Sequence, residues 1–258
     1  MKEVLVLKYQ DEFVDNFSVY AYAKIFEKNA NLRIAFENSP KLRENFEKKM
    51  ANFSLEYDYI SSSKVQMITK NSYNFSYELS KKIENSKKIP KNLKKSFVLD
   101  YPKFNLKDIN LLDEGLISSL KFKNLDFILN YDVLEKIENQ NSIGLFINRL
   151  DIQNLDNDFI FSATKRLNKY LKKPKLYVFC DNQNLKINSF IDYEILDLKN
   201  EFERFYFLQR CKNYIILNSK NSYSFNLWAS VLGRKNTSLI IYKKQKKNLL
   251  LGRNFLSC

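Results

Sequence analysis

Asn200–Tyr242 reads NEFERFYFLQRCKNYIILNSKNSYSFNLWASVLGRKNTSLIIY, and the alternation inside it decides the fold. Phe202, Phe205, Leu208 and Cys211 recur at three- and four-residue spacing, which predicts a helix from Glu201 whose apolar stripe needs a sheet beneath it. Tyr214–Leu217 is an uninterrupted apolar run, suited to a strand covered on both faces. A polar turn opens at Asn218-Ser219, a second helix follows, and Ser238–Tyr242 predicts a second strand. Hydroxyl and amide side chains gather in that turn where a helix begins, and the unpaired N–H groups of a helix start attract phosphate. Asn218, Ser219 and Ser222 equally suit the simpler task of capping the helix.

Upstream the same rhythm repeats. Ile143–Ile147 predicts a strand ending at Asn148-Arg149, Asp158–Leu171 a helix stopped by Lys172-Lys173-Pro174, Leu176–Cys180 a strand ending at Asp181-Asn182, and Tyr193–Leu196 a short strand. Strands alternating with helices of this length imply a parallel α/β sheet. Ligands bind such sheets at the carboxyl ends of the strands. Three strand ends here are polar, and Arg149 with the Asn218 turn would suit a phosphate. An ion pair of Arg149 with Asp151 or Asp181 is the plainer alternative, as is a turn cap for Asp181.

Nearer the amino end, Glu3–Leu7, a buried helix over Asp15–Lys28 and a strand over Arg33–Phe36 predict a β-α-β opening. Pro40 to Ser80 shows no clean period. Ser80–Lys95 holds seven lysines and reads as a solvated basic linker. Val98–Asn105 is aromatic and interrupted by Pro102, while Leu106–Leu120 and Leu125–Ile137 read as helical.

The chain of 258 residues is 45% hydrophobic, enough for a real core, and its net charge of +14 calls for an anionic partner. Histidine is absent, removing the usual general base and the commonest metal ligand. Cys180, Cys211 and Cys258 lack metal or redox spacing and read as reduced thiols. With no apolar run long enough to span a bilayer and no signal peptide, the expectation is a soluble, cytoplasmic protein.

Taken together, FINRLD (Phe146–Asp151), YVFCDN (Tyr177–Asn182) and CKNYIILNSKNSYS (Cys211–Ser224) resemble, in order and spacing, the motifs H-x-R-R-G-D, Y-x-F-S-D-D and C-K-H…N-S-S-F-S-W-W of the α-1,2-fucosyltransferases. DNFSVYAYAKIF (Asp15–Phe26) is similar to the family's N-Q-M-F-Q-Y-A-x-A-K-x-L. The resemblance implies an α/β, GT-B-like fold of two Rossmann-type halves with parallel sheets: residues 1–140 on the acceptor side and residues 141–258 binding the donor. It implies metal-independent, inverting transfer of fucose from GDP-fucose, a substrate rather than a cofactor, to a surface-glycan acceptor. Arg149 and Asp151 would be catalytic; Asn148, Arg149, Asp181, Asn218, Ser219 and Ser222 would hold the donor; Asp15 and Asn16 would face the acceptor. The pattern also departs from the family. Asp11-Glu12-Phe13-Val14-Asp15-Asn16 replaces a glycine-rich loop, and Phe146, Asn148 and Leu150 replace His, Arg and Gly of the arginine motif.

Two further readings within the fold are a transferase with another nucleotide-sugar donor and an inactive relative. A nucleic-acid-binding protein is the rival from another class, favoured by charge and by 16 tyrosines and 21 phenylalanines, but no recognition motif supports it. The basic run Tyr242–Asn248 suggests peripheral contact with the inner membrane surface.

Overall fold

The structure, a computed structural model, describes residues 4–10, 12–30, 33–38, 40–61, 63–64, 97–99, 109, 112–233, 237–242 and 255–257. It divides into two compact units, Met1–Asn124 and Leu125–Cys258.

In the first unit, β1 (Val4–Leu7), α1 (Phe13–Ala30) and β2 (Arg33–Asn38) form the expected β-α-β opening, with β1 and β2 parallel. The stretch without a readable period supplies α2 (Pro40–Met50) and β3 (Asp58–Ser61). Proline at the first helical position costs no hydrogen bond there. Among the side chains described, Phe46 and Met50, four residues apart, are the buried ones of α2. Leu42, Phe46 and Met50 are its apolar positions, too short a run in eleven residues for a clean period to show. With β4 (Phe97–Leu99) the sheet is fully parallel, in the order β3-β2-β1-β4. Helical structure expected over Leu106–Leu120 is confined, within the described residues, mainly to α3 (Glu114–Ser119), started by Asp113 accepting from the Leu116 N–H at 2.8 Å. The lysine-rich Ser80–Lys95 and residues 243–248 lie outside the described residues.

Phe13 and Val14, standing where the resembled family has glycine, are fully and almost fully buried. The Phe13 ring stacks on Phe53 and meets Phe17 edge-on. These two residues therefore begin α1 and contribute to the core in place of an open loop.

The second unit contains α4 (Tyr131–Asn139), β5 (Asn141–Phe146), α5 (Asn157–Asn168), β6 (Pro174–Phe179), β7 (Tyr193–Leu196), α6 (Glu201–Arg210), β8 (Asn213–Ile216), α7 (Tyr223–Gly233), β9 (Ile240–Tyr242) and β10 (Phe255–Ser257). The strand read at Ile143–Ile147 runs from Asn141 to Phe146, and the unit begins before the expected residue 141, at Leu125. The buried carboxylate of Glu203 on α6 accepts from the Leu129 and Asn130 N–H groups at 2.7 and 2.8 Å, tying the segment before α4 to this unit. The helix expected over Leu125–Ile137 is shorter, because Leu125–Asn130 forms this anchored loop.

All strand pairs of this sheet are parallel, in the order β10-β9-β8-β5-β6-β7. Alternate residues feed opposite faces. Ile143, Leu145, Leu176, Val178 and Ile215 pack with Ile160, Ala163 and Leu167 of α5. Phe146 faces the other way, stacked on Phe225 of α7 at 4.0 Å between ring centroids. A helix layer on both faces explains why β5, β6 and β8 read as continuous apolar runs.

Candidate functional site at a strand crossover

Chain order in the second sheet reverses between β5 and β8. From β5 the chain moves outward through β6 and β7, then returns to β8 on the other side and continues through β9 and β10. This is the doubly wound arrangement, whose crevice for ligands opens at the carboxyl ends of the two central strands. Asn148 and Arg149 follow β5, while Asn218 and Ser219 follow β8, so two of the three polar strand ends meet at this point. Asp181 follows β6, one strand further out; it is exposed, and its Oδ1 lies 4.0 Å from the Cys180 thiol.

The central strands part before they end. β5 and β8 pair only at Ile143 with Asn213 and Gly144 with Tyr214. Past this point Asn226 on α7 takes the place of a strand neighbour. Its Oδ1 accepts from the Phe146 N–H and its Nδ2 donates to the Phe146 carbonyl, both at 2.7 Å and both buried. A side-chain amide thereby satisfies two backbone groups that would otherwise be unpaired in the core. Asn226 is a site-forming residue that the sequence reading missed. Its only signal was a position four residues after Ser222 in an apolar helix.

Asn148 caps a 3-10 helix, Arg149–Asn154, by accepting from the Leu150 N–H at 3.0 Å. Its own N–H donates to Ser222 Oγ at 2.9 Å. Asp151, buried in this short helix, reaches the start of α7. It accepts from Ser222 Oγ at 2.6 Å, from Asn221 Nδ2 at 2.8 Å and from the Asn221 N–H at 3.3 Å. A carboxylate here also complements the positive end of the helix dipole. Burial opposes ionisation, but the Ser222 and Asn221 hydrogen bonds outweigh it and hold the Asp151 carboxyl below its usual range.

This geometry corrects part of the sequence reading. Ser222 is fully buried, donating to Asp151 and accepting from Asn148, and so is not open to a donor molecule. Asp151, expected to be catalytic, has its carboxylate committed to the turn. Asn148 offers a cap in place of an arginine. The second helix begins at Tyr223 rather than at Asn218, because residues 218–222 are needed for this turn. On the first unit, Asn16 is 1% exposed. Its amide accepts from the Gln10 N–H and donates to the Gln10 and Glu12 carbonyls, at 3.0, 3.0 and 3.2 Å, so it braces the loop after β1 and does not face an acceptor. Asp15 lies in the first turn of α1, half-buried.

Arg149 differs from its neighbours. Its side chain is exposed, and among the described residues it makes neither an ion pair nor a hydrogen bond; the expected alternative pairing with Asp151 or Asp181 does not occur. Residues on both sides of it, Asn148 and Asp151, are bonded to the α7 turn. Asn218 and Lys220 of that turn are exposed, while the Ser219 Oγ is buried beside the Asp151 carboxylate. An unpaired guanidinium, an exposed lysine and a polar turn at one crossover suit an anion carrying several oxygens. Among the described residues no three His, Cys, Asp or Glu side chains group as metal ligands, and no helix is long and apolar enough to cross a membrane.

No protein-family model and no curated protein sequence matches the chain. Solved structures do. The fucosyltransferase NodZ from Bradyrhizobium aligns over 90% of this chain and 93% of its own, with a TM-score of 0.56 and 13% identity. The NodZ α-1,6-fucosyltransferase soaked with GDP-fucose aligns over the same shares with a TM-score of 0.55 and 14% identity. FUT1 of Arabidopsis thaliana in complex with GDP aligns over 95% of this chain and 72% of its own, with a TM-score of 0.56 and 11% identity. At these identities the likeness is one of fold. The chain has the GT-B-like architecture of two parallel-sheet, Rossmann-type halves that these transferases have.

Proposed function

We propose that the protein is a glycosyltransferase that takes a nucleoside diphosphate sugar at the β5/β8 crossover, with GDP-fucose as the first candidate. The observation that carries the proposal is the unpaired Arg149 guanidinium, presented at the crossover by a helical turn bonded on both sides to the start of α7. The structures whose fold it shares include one in complex with GDP and one soaked with GDP-fucose, which supports the choice of donor.

In this reading the acceptor hydroxyl attacks the anomeric carbon from the side opposite the leaving group, and its proton passes to water or to the departing diphosphate. The carbon–oxygen bond to the diphosphate breaks, and the diphosphate departs with the bonding electrons. Arg149 stabilises the charge that develops on it, as a planar double donor is suited to do. Lys220 and Asn218 complete the anion contacts, while Asp181 lies on the side of the nucleoside. Asp151 is a positioning residue that fixes the turn and thereby the direction from which Arg149 enters. A 1,2-linkage to a surface glycan follows from the motif resemblance alone and is proposed on that footing.

The test is a donor screen by thermal denaturation. A ligand at a hundred times its Kd adds about 2.7 kcal/mol to stability. GDP and GDP-fucose are expected to protect the protein, uridine diphosphate sugars less, and Arg149→Ala to lose the protection. Undiminished protection in Arg149→Ala would overturn the site assignment. Protection by uridine nucleotides in place of GDP would assign a different donor.

A further inference from the structure

We propose that the amino-end edge of the second sheet is a docking face for an anionic lipid bilayer. The inference stands apart from the nucleotide reading. In a parallel sheet the connecting helices run back, so the end of α5 lies with the beginnings of β6 and β7. Tyr170, in the turn after α5, is 62% exposed; Phe190 and Tyr193, at the entry to β7, are 46% and 39% exposed. Tyr170 and Tyr193 thus stand at this edge, and Phe190 lies next to it on the flank of α5, beside Phe161, Thr164 and Lys165. Phe190 is held in place, with its N–H donating to Thr164 Oγ1 at 3.0 Å and its ring edge-on to Phe161 at 5.8 Å.

Lysines are interleaved with these rings. Lys169, Lys172 and Lys173 flank Tyr170, and the Lys165 ammonium lies 6.0 Å from the centre of the Phe190 ring. None of the four makes an ion pair among the described residues. Lys175 is neutralised by Glu194, and Asp192, next to Tyr193 in the chain, is an exposed acid at this edge. The turn is preformed: the Lys172 carbonyl accepts from Asn141 Nδ2 at 2.6 Å, and Lys173 stands at a φ of 47°. A solvated face carries lysines without large exposed rings. Tyrosine and phenylalanine at the level of lipid headgroups, with lysine stems along them and ammonium groups on the phosphates, match this composition. β6 is six residues long, so the face lies about 20 Å from the carboxyl ends at the usual strand rise, leaving the crossover open.

The experiment is co-sedimentation with vesicles of phosphatidylglycerol and phosphatidylcholine against vesicles of phosphatidylcholine alone, with Trp228 emission verifying the fold of each variant. Each lysine at an anionic surface contributes about fivefold in binding. Lys172→Gln with Lys173→Asn, asparagine tolerating the positive φ, should weaken partition to the anionic vesicles about thirtyfold. The exposed pair Lys121→Gln with Lys123→Gln, on the first unit, should change it less than about threefold. Tyr170→Trp should shift its emission to the blue with anionic vesicles only, against the fixed background of the buried Trp228. Equal loss in both lysine pairs would show a mere effect of net charge and overturn the proposal. No vesicle binding, or binding of single-stranded RNA in its place through the same lysines, would overturn it as well.

Discussion

Replacing Asp151 by asparagine isolates the charge at the start of α7 with almost no change in shape. The carboxylate receives two short hydrogen bonds, from Ser222 Oγ at 2.6 Å and Asn221 Nδ2 at 2.8 Å, and a longer one from the Asn221 N–H. Asparagine keeps one acceptor oxygen and turns the other into a donor, so one charge-assisted bond becomes neutral and one is lost, at about 2 kcal/mol together. Loss of a partly buried anion at a helix start adds about 0.5–1 kcal/mol. The expected total at neutral pH is about 2–3 kcal/mol. The folded-state pKa of Asp151 lies below its unfolded value. Its ionised form therefore stabilises the fold fully above the unfolded pKa of about 3.9, and the contribution is lost as pH falls below this through the folded value. Trp228 is the single tryptophan and is fully buried on α7, so its emission in urea follows the helix concerned. Parent and variant are to be compared at pH 7 and again at pH 3. The difference should be about 2–3 kcal/mol at the first and clearly smaller at the second. A difference below about 0.5 kcal/mol at pH 7, or one that is the same at both, would refute the assignment of Asp151 as a charged clamp.

Asn226→Leu leaves the Phe146 N–H and carbonyl unpaired in the core and should cost about 2–5 kcal/mol, read as a lower urea midpoint. Gly233→Ala brings a methyl carbon to 1.9 Å from the Gln209 carbonyl oxygen, a backbone atom that cannot swing away. It should destabilise by at least about 3 kcal/mol, whereas Gly144→Ala meets the movable Leu208 side chain at 2.5 Å and should fall in the usual overpacking range of about 1–3 kcal/mol. Equal effects of the two glycine changes in thermal unfolding would count against this ranking. Arg149→Lys should keep part of the GDP protection that Arg149→Ala loses, since an ammonium is a point charge without the paired donors of a guanidinium; equal protection by both variants would remove bidentate recognition from the proposal.

How much of this was legible in the chain depended on the length of each signal. The parallel α/β class, the alternation from Ile143 to Tyr242 and the polar strand ends were legible in the sequence, because a strand buried on both faces needs an apolar run and a packed helix needs an apolar stripe. Those are properties of neighbouring residues. The short α2 and β3 were not legible, since a helix of eleven residues with three apolar positions and a strand of four set no clear period. Strand order belongs to the tertiary structure alone: nothing in the sequence says that β8 returns to lie beside β5, and this return brings Arg149 to the turn after β8. The tertiary structure also separated two residues that look alike on paper. Arg149 and Asp151 stand two positions apart in the same motif, yet a 3-10 turn points the carboxylate at Ser222 and Asn221 and leaves the guanidinium in solvent. Residue type supplies the chemistry that a site can use, and the fold decides which of those groups is already satisfied and which still lacks a partner.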